Sequence, residues 1–259
     1  MGILDGKKGL ILGVANERSI AWHIAQHAVA QGAECLFSFL PGEKNEARVQ
    51  KTLSKGGLGD AWLFPCDLGS DEDLDKLFEA LKVHAGSIDF LVHSVAYADR
   101  EYLKPGTFTS TPRSVFAEAL DISAYTLIAA ARRAQPRMVN GGSILALSYY
   151  GAEKAAVGYN VMGVAKSALE STARYLAAEL GEQGIRVNAL SAGPCRTLSA
   201  MAVGGIDDIL KKVEATAPLR RNIETEEVGK AAVYLLSDLS SGVTGETHHV
   251  DAGYSAIVT

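Results

Sequence analysis

Cysteine is scarce in this chain, with three residues, Cys35, Cys66 and Cys195, among 259. The odd count and wide spacing argue against a disulfide framework, and no two stand at metal-ligand spacing. Cys35 and Cys66 fall in apolar, strand-like runs, where a buried thiol is ordinary. Basic excess is also absent. Lys and Arg number 25 against 30 Asp and Glu, a formal net charge of -5, so nothing marks a nucleic-acid surface. No uninterrupted apolar run approaches the roughly 20 residues that span a bilayer. The start, Met1-Gly2-Ile3-Leu4-Asp5-Gly6, lacks the basic and apolar regions of a signal peptide, and Lys7 does not suit a myristoylation signal. Internal repeats, low-complexity segments and dividing linkers are lacking. A metal site is not expected: His248 and His249 are adjacent in a strand-like segment, so their side chains should point to opposite faces.

What is present is a balanced globular composition, 47% hydrophobic and 21% charged, long enough for one large domain with a well-buried core. Short apolar runs alternate with stretches of helical period. The runs are Gly9 to Leu12, Glu34 to Phe39, Ala61 to Cys66, Phe90 to His93, Ser143 to Leu147, Arg186 to Leu190 and Thr247 to Val250. Between them lie amphipathic patterns over Ser19 to Ala30, Glu43 to Leu53, Glu72 to His84, Ser114 to Met138, Val157 to Leu180 and Thr225 to Ser237. Continuous apolar strands alternating with helices predict an α/β fold, a single doubly wound parallel sheet covered on both faces, in one domain spanning 1–259. The exception is Thr197 to Pro218, which follows a Gly-Pro break and carries Gly204-Gly205. It reads as a mobile substrate-binding flap with a short helix from Asp207 to Ala215, or as a plain surface excursion.

The first strand ends in Gly13-Val14-Ala15-Asn16-Glu17-Arg18-Ser19-Ile20-Ala21. A turn that holds a pyrophosphate needs a small residue for close backbone approach and a helix N-terminus beyond it. Gly13 meets the first need, and Ser19 is placed to cap the helix and to donate its hydroxyl to phosphate. The usual three-glycine spacing is missing, so an ordinary strand-turn-helix corner is the competing reading. Asp67, after the third run, can accept a hydrogen bond from an adenine amino group. Ser94-Val95-Ala96, after the fourth, let a ligand lie against backbone. All of these fall at carboxyl ends of strands, where open α/β sheets bind ligands.

The fifth run leads into Leu147-Ser148-Tyr149-Tyr150-Gly151, and the following helical pattern carries Tyr159 and Lys166. Seven residues apart, they lie two turns along nearly the same helix face, separated by about 10.5 Å of rise. Both can reach one ligand, the lysine charge stabilising a tyrosinate or a developing oxyanion. A buried tyrosine beside a snorkelling lysine would look the same.

The set Gly13-x5-Ser19-Ile20-Ala21, Asp67, Tyr149-x9-Tyr159-x6-Lys166 and Ser191-Ala192-Gly193-Pro194-Cys195-Arg196-Thr197 resembles the NADH-using bacterial enoyl-[acyl-carrier-protein] reductases, within the short-chain dehydrogenase superfamily. The resemblance runs from Gly2 to about Ser255 and includes Arg220-Arg221 and Gly245-Glu246-x3-Val250-Asp251-x-Gly253. Most short-chain dehydrogenases carry their tyrosine four residues before the lysine and a serine thirteen before that tyrosine. Those positions here are Met162 and Tyr149, whereas the enoyl reductases use a tyrosine seven before the lysine, which is Tyr159.

The resemblance implies a Rossmann-type fold, NADH as cofactor, and hydride transfer to the β-carbon of a trans-2-enoyl thioester in fatty-acid elongation. It implies that Tyr159 stabilises the enolate, with Tyr149 and Lys166 as further catalytic residues. The cofactor-binding positions it implies are Gly13, Ser19, Ile20, Leu40, Asp67, Leu68, Val95, Lys166, Cys195, Arg196, Thr197, Leu198 and Ser199, and Ala98 falls where the family meets substrate. It further implies an acyl-carrier protein as partner, a homotetramer built on the helices of Ser114 to Met138 and Val157 to Leu180, and a cytoplasmic place without membrane or nucleic acid. Another activated alkene or a carbonyl as substrate, and a cofactor-binding regulator without turnover, are the alternatives. Thiol chemistry at Cys195 is not expected, since no base stands beside it.

Departures from the family pattern are specific. Leu40 replaces a common glutamine, and Ser38 to Gly42 carries no cation for a 2′-phosphate, which predicts NADH over NADPH. Lys44 and Arg48 lie one and two helical turns further on. Tyr97 stands where the family has Phe or another apolar residue, and Asp99 to Pro112 matches less well. An acidic carrier would need a local basic patch, for which Lys211, Lys212, Arg220 and Arg221 are candidates. A solvated helix face is the other reading of these charges.

Overall fold

In the computed structural model, which describes residues 2–198, 200–202 and 205–257, seven strands form one parallel sheet. They are β1 (Lys8–Leu12), β2 (Glu34–Phe39), β3 (Leu63–Pro65), β4 (Phe90–His93), β5 (Gly142–Ser148), β6 (Ile185–Ala192) and β7 (Thr247–Val250), in the order β3-β2-β1-β4-β5-β6-β7. Nearly every residue of β1, β2, β4, β5 and β6 is buried, which is why their sequences read as unbroken apolar runs rather than alternating ones. The doubly wound α/β fold expected from the sequence is therefore the one observed.

The helices are α1 (Ile20–Ala30), α2 (Glu43–Lys55), α3 (Asp71–Ala85), α4 (Arg113–Leu120), α5 (Thr126–Ala134), α6 (Asn160–Leu180), α7 (Ile206–Thr216) and α8 (Thr225–Leu236). Two cores sit on opposite faces of the sheet. One joins Ile11, Phe37 and Leu190 to Ile24 of α1, Leu53 of α2 and Val233 of α8. The other joins Leu10, Leu36 and Ile144 to Leu77 of α3, Leu127 of α5 and Leu169 of α6. A third, smaller cluster of Ala98, Leu103, Ala119, Val161, Met162 and Ala165 ties α4 and α6 to the chain after β4. It forms the floor under the site described below.

Local signals account for several ends. Ser70 accepts from the Asp73 N–H at 3.2 Å and Asp71, Glu72 and Asp73 fill the first turn of α3, complementing its dipole. Glu224 and Glu227 form a reciprocal capping box on α8. Three elements depart from the sequence expectation. The pattern over Ser114 to Met138 is divided by a π-helical turn at Asp121–Tyr125 between α4 and α5. Within it, the Ser123 hydroxyl exchanges hydrogen bonds with the backbone of Tyr97, a tertiary demand that periodicity does not record. The run Ala61 to Cys66 pairs only over Leu63–Pro65, at the sheet edge. The helix expected from Val157 begins at Asn160, because Gly158 and Asn160 both take positive φ, 88° and 45°.

By length and composition one helical run, Arg113–Arg137, would suffice to cross a membrane; its mean hydropathy is 1.3 and 44% of that window is buried in the fold. Glu118, Asp121, Arg132 and Arg133 punctuate it, and its α5 part packs against α3 and α6.

Candidate active site

The turn after β1 is closed by its own residues. Gly13 has a φ of 99°, and a Cβ there would stand 2.2 Å from the Ser94 carbonyl oxygen, so only glycine lets β1 and β4 end this close together. Ser19 occupies the N-cap of α1 but makes no side-chain capping bond, which corrects the expectation from sequence. Its hydroxyl is engaged in the turn, accepting from the Ala15 and Asn16 N–H groups at 3.2 and 3.1 Å and donating to the Asn16 carbonyl. The turn is thereby rigid, and the unpaired N–H groups opening α1 are left for an anion.

Opposite the turn stand β5 and α6. Lys166 is 6% exposed and its Nζ donates to the Leu147 carbonyl at 2.6 Å. Burial pulls its ammonium down to about 8, and the Glu170 carboxylate opposes that fall. Tyr149 and Tyr159 meet edge to face with centroids 4.9 Å apart. Burial first, then Tyr149 and Glu170, hold the Tyr159 phenol well above its ordinary range. Burial, then Tyr254, pushes Tyr149 up to about 12. Both phenols are therefore protonated donors at neutral pH, and among the described residues neither hydroxyl has a hydrogen-bond partner. Met162, between Tyr159 and Lys166 on α6, turns an apolar side chain to the same space.

These groups line one cavity of about 570 Å³ at the carboxyl ends of β1, β4, β5 and β6. Of the residues singled out from sequence, Gly13, Ser19, Ile20, Val95, Ala98, Tyr149, Tyr159, Lys166, Cys195, Thr197 and Leu198 all lie in its wall. Leu40, Asp67, Leu68 and Arg196 stand outside that wall. Leu40 is 60% exposed, Leu68 is packed in a sheet-face core, and Asp67 accepts from the Gly69 N–H at 2.9 Å. Arg196 pairs with Asp207 at 2.8 Å beside a neighbouring cavity. Ser199 lies outside the described residues. Ala200, Ile206 and Ile209 close the cavity from the segment after β6, where the short helix expected over Asp207 to Ala215 is α7.

Burial pushes the Cys195 thiol up to about 12, with Glu224, Glu227 and Glu226 acting in the same sense, so it is no thiolate nucleophile. His248 faces Tyr234 of α8, whereas His249 faces Tyr150 and bonds Glu153 at 2.7 Å, the opposite placement expected of strand neighbours. Among the described residues no group of three or more His, Cys, Asp or Glu could hold a metal. The basic patch expected near the mouth is also divided. Arg220 donates to the Ala215 carbonyl and Arg221 is held bidentately by Glu227 at 2.7 Å, while Lys211 and Lys212, exposed like both arginines, have no ion-pair partner among the described residues.

Sequence reasoning missed three supporting residues. Asn160 donates to the Tyr102 and Lys104 carbonyls, Ser123 clamps Tyr97, and Glu170 accepts from Ser148. Each works across a long sequence separation, and only the positive φ that asparagine tolerates at Asn160 hints at one of them. The cavity combines a glycine turn, a helix N-terminus, a buried ammonium and two protonated phenols. That set suits a dinucleotide lying along the strand ends, with its reactive ring beside a substrate oxygen facing Tyr159.

A family model described as enoyl-(acyl carrier protein) reductase matches residues 13–255. The enoyl-[acyl-carrier-protein] reductase [NADH] 1 of Rhizobium meliloti is 50% identical over 256 residues, which cover 99% of this chain and 93% of that protein. The corresponding [NADH] FabI enzyme of Bacillus cereus is 48% identical over 254 residues, 98% of each chain. Among solved structures, the Bacillus cereus enoyl-acyl carrier protein reductase with NADP+ and indole naphthyridinone superposes with a TM-score of 0.96 at 47% identity, covering all of both chains. The Anaplasma phagocytophilum reductase in complex with NAD superposes at 0.93 with 46% identity, covering 100% of this chain and 95% of that one.

Proposed function

The chain belongs to the enoyl-(acyl carrier protein) reductase family, and on that premise we propose that Tyr159 and Lys166 carry its reaction. The protein is an NADH-dependent oxidoreductase that reduces the double bond of enoyl thioesters in bacterial fatty-acid synthesis. The observation that carries the assignment is the placement of Tyr159, Met162 and Lys166 along one wall of one cavity. A methionine where most short-chain dehydrogenases have their tyrosine leaves Tyr159 as the donor.

NADH, when bound, supplies the hydride. As it reaches the β-carbon, charge collects on the thioester oxygen, and the Tyr159 hydroxyl donates to that oxygen. Its raised pKa keeps it protonated and so able to donate. Lys166, held by the Leu147 carbonyl, keeps further protons for a ribose hydroxyl. Tyr149 packs on Tyr159 and restricts its ring, and Ala98 forms part of the acyl wall. Gly13 and the N–H of Ile20 opening α1 would take the pyrophosphate, with Ser19 holding the turn in shape through its bonds to Ala15 and Asn16. Val95, Cys195, Thr197 and Leu198 would border the nicotinamide from the cavity wall, with Arg196 beside them, and Leu40, Asp67 and Leu68, outside that wall, would meet the adenine end.

The family acts on substrate carried by acyl-carrier protein. Docking of that carrier at Lys211 and Lys212, closure of 197–218 over the site, a homotetramer, a single domain over 1–259 and a cytoplasmic place without membrane or nucleic acid belong to the same proposal. Purified protein mixed with NADH and a crotonyl thioester tests it. Loss of the reduced-nicotinamide absorbance with formation of the butyryl thioester is expected. No oxidation, or oxidation only with a ketone, would refute it.

A further inference from the structure

Beside Lys166 lies a buried carboxyl group to which no step above assigns a role. Glu170 is 6% exposed and sits one turn beyond Lys166 on the same face of α6. Its Oε1 accepts from the Ser148 hydroxyl at 2.5 Å. Ser148 is the last residue of β5, between Leu147, whose carbonyl holds Lys166, and Tyr149. Across the sheet, Ser148 is in register with Ser191, a buried hydroxyl with no partner among the described residues, and Ser191 with His249. Registered neighbours on parallel strands share a face. A polar row of Ser148, Ser191 and His249 thus crosses the carboxyl end of the sheet, beginning one residue before Tyr149.

A buried carboxyl group at this position is costly unless it does something an apolar side chain cannot. We propose that Glu170 is a positioning residue for the reduction, fixing through Ser148 the strand end that carries Tyr149 and supplying a negative charge one helical turn from the Lys166 ammonium. The inference rests on the roles proposed above for Lys166 and Tyr149. The charged groups acting on Glu170 are Glu153 in the turn after β5, His249 on β7 and Arg174 one turn further along α6; burial raises its pKa and the Ser148 bond opposes that. Lys166, by contrast, has Glu170 as the group opposing its desolvation. Without that charge the lysine gives up its proton at lower pH.

Glu170→Gln removes the charge and keeps an oxygen for Ser148. Glu170→Asp keeps the charge and draws it away from Ser148, and Ser148→Ala removes the hydroxyl alone. The readout is the alkaline limb of NADH affinity and of kcat/KM, measured on the whole protein from pH 6 to 10. The limb of E170Q is expected to fall by about one pH unit, a tenfold change in proton affinity. E170D and S148A are expected to keep the parental limb while kcat drops. An E170Q limb at the parental pH overturns the proposal, as does a limb displaced in S148A. Should E170Q not fold, E170D decides: a parental limb supports the role and a displaced one overturns it. Parent protein that binds NADH yet reduces no enoyl thioester would refute the proposed function instead, and the binding limb would still decide the role of Glu170.

Discussion

The side-chain amide of Asn160 donates to the Tyr102 carbonyl at 2.8 Å, tying the segment after β4 to the first turn of α6. The same amide reaches the Lys104 carbonyl at 2.8 Å and the Thr107 hydroxyl at 3.1 Å. Asn160 follows Tyr159 directly, so the loop that carries Ala98 and Leu103 toward the cavity is fastened to the residue beside the proton donor. Asn160→Ala is expected to raise KM for an enoyl thioester about tenfold, with NADH affinity within about twofold of the parent, on the scale of losing hydrogen bonds of about 1 kcal/mol. Steady-state kinetics with parallel NADH titration check it. Equal losses in both would place the defect in the fold rather than the loop.

Gly13 should tolerate no side chain. Gly13→Ala forces a Cβ against the Ser94 carbonyl at a φ of 99°. A stability loss on the order of 1–3 kcal/mol and a large loss of NADH affinity are expected. Thermal melts with and without NADH read both effects. A variant still strongly stabilised by NADH would contradict the role of the turn.

Much of this is legible in the amino-acid sequence. β2, β4 and β7 keep their expected bounds because continuous burial or flanking turns define them, and Gly13, Tyr159 and Lys166, grouped by the family resemblance where spacing alone left Tyr159 and Lys166 open, line one cavity. What could not be read depends on distant partners. The π-helical turn at Asp121–Tyr125 answers Tyr97, and Ser19 spends its hydroxyl on Ala15 and Asn16 rather than on its helix. Arg221 looks like half of a basic patch in sequence, yet six residues later Glu227 claims it.

That ion pair has a pH signature. Arg221, then the Glu224 N–H, hold the Glu227 carboxyl down to about 2. A depressed carboxylate contributes stability that is complete above its unfolded value of about 4.3 and is lost as pH falls through the folded one. Arg221→Ala should therefore lower Tm slightly at pH 7, the pair being partly exposed and screened by solvent. The difference from the parent should shrink between about pH 4 and pH 2. A constant difference across that range would mean that Arg221 acts by packing alone.

Lys211 and Lys212 are exposed on α7 without an ion pair among the described residues, as an acidic carrier would need. Changing both to Glu is expected to raise KM for carrier-bound enoyl substrate roughly tenfold at low ionic strength and less at high salt. Reduction of an enoyl N-acetylcysteamine thioester should stay near the parental rate. Equal effects on the two substrates would assign the lysines to the flap rather than to docking.

The most direct measurement is the oxidation of NADH by Tyr159→Phe with a crotonyl thioester, beside NADH binding to the same protein. The phenol faces the cavity without a partner among the described residues and packs on Tyr149, so phenylalanine keeps the ring contact and removes the donor alone. A fall in kcat of about a hundredfold or more, with NADH affinity within about twofold of the parent, is the expected result. Parental kcat in Y159F would contradict the assignment of Tyr159 as the group that meets the developing charge.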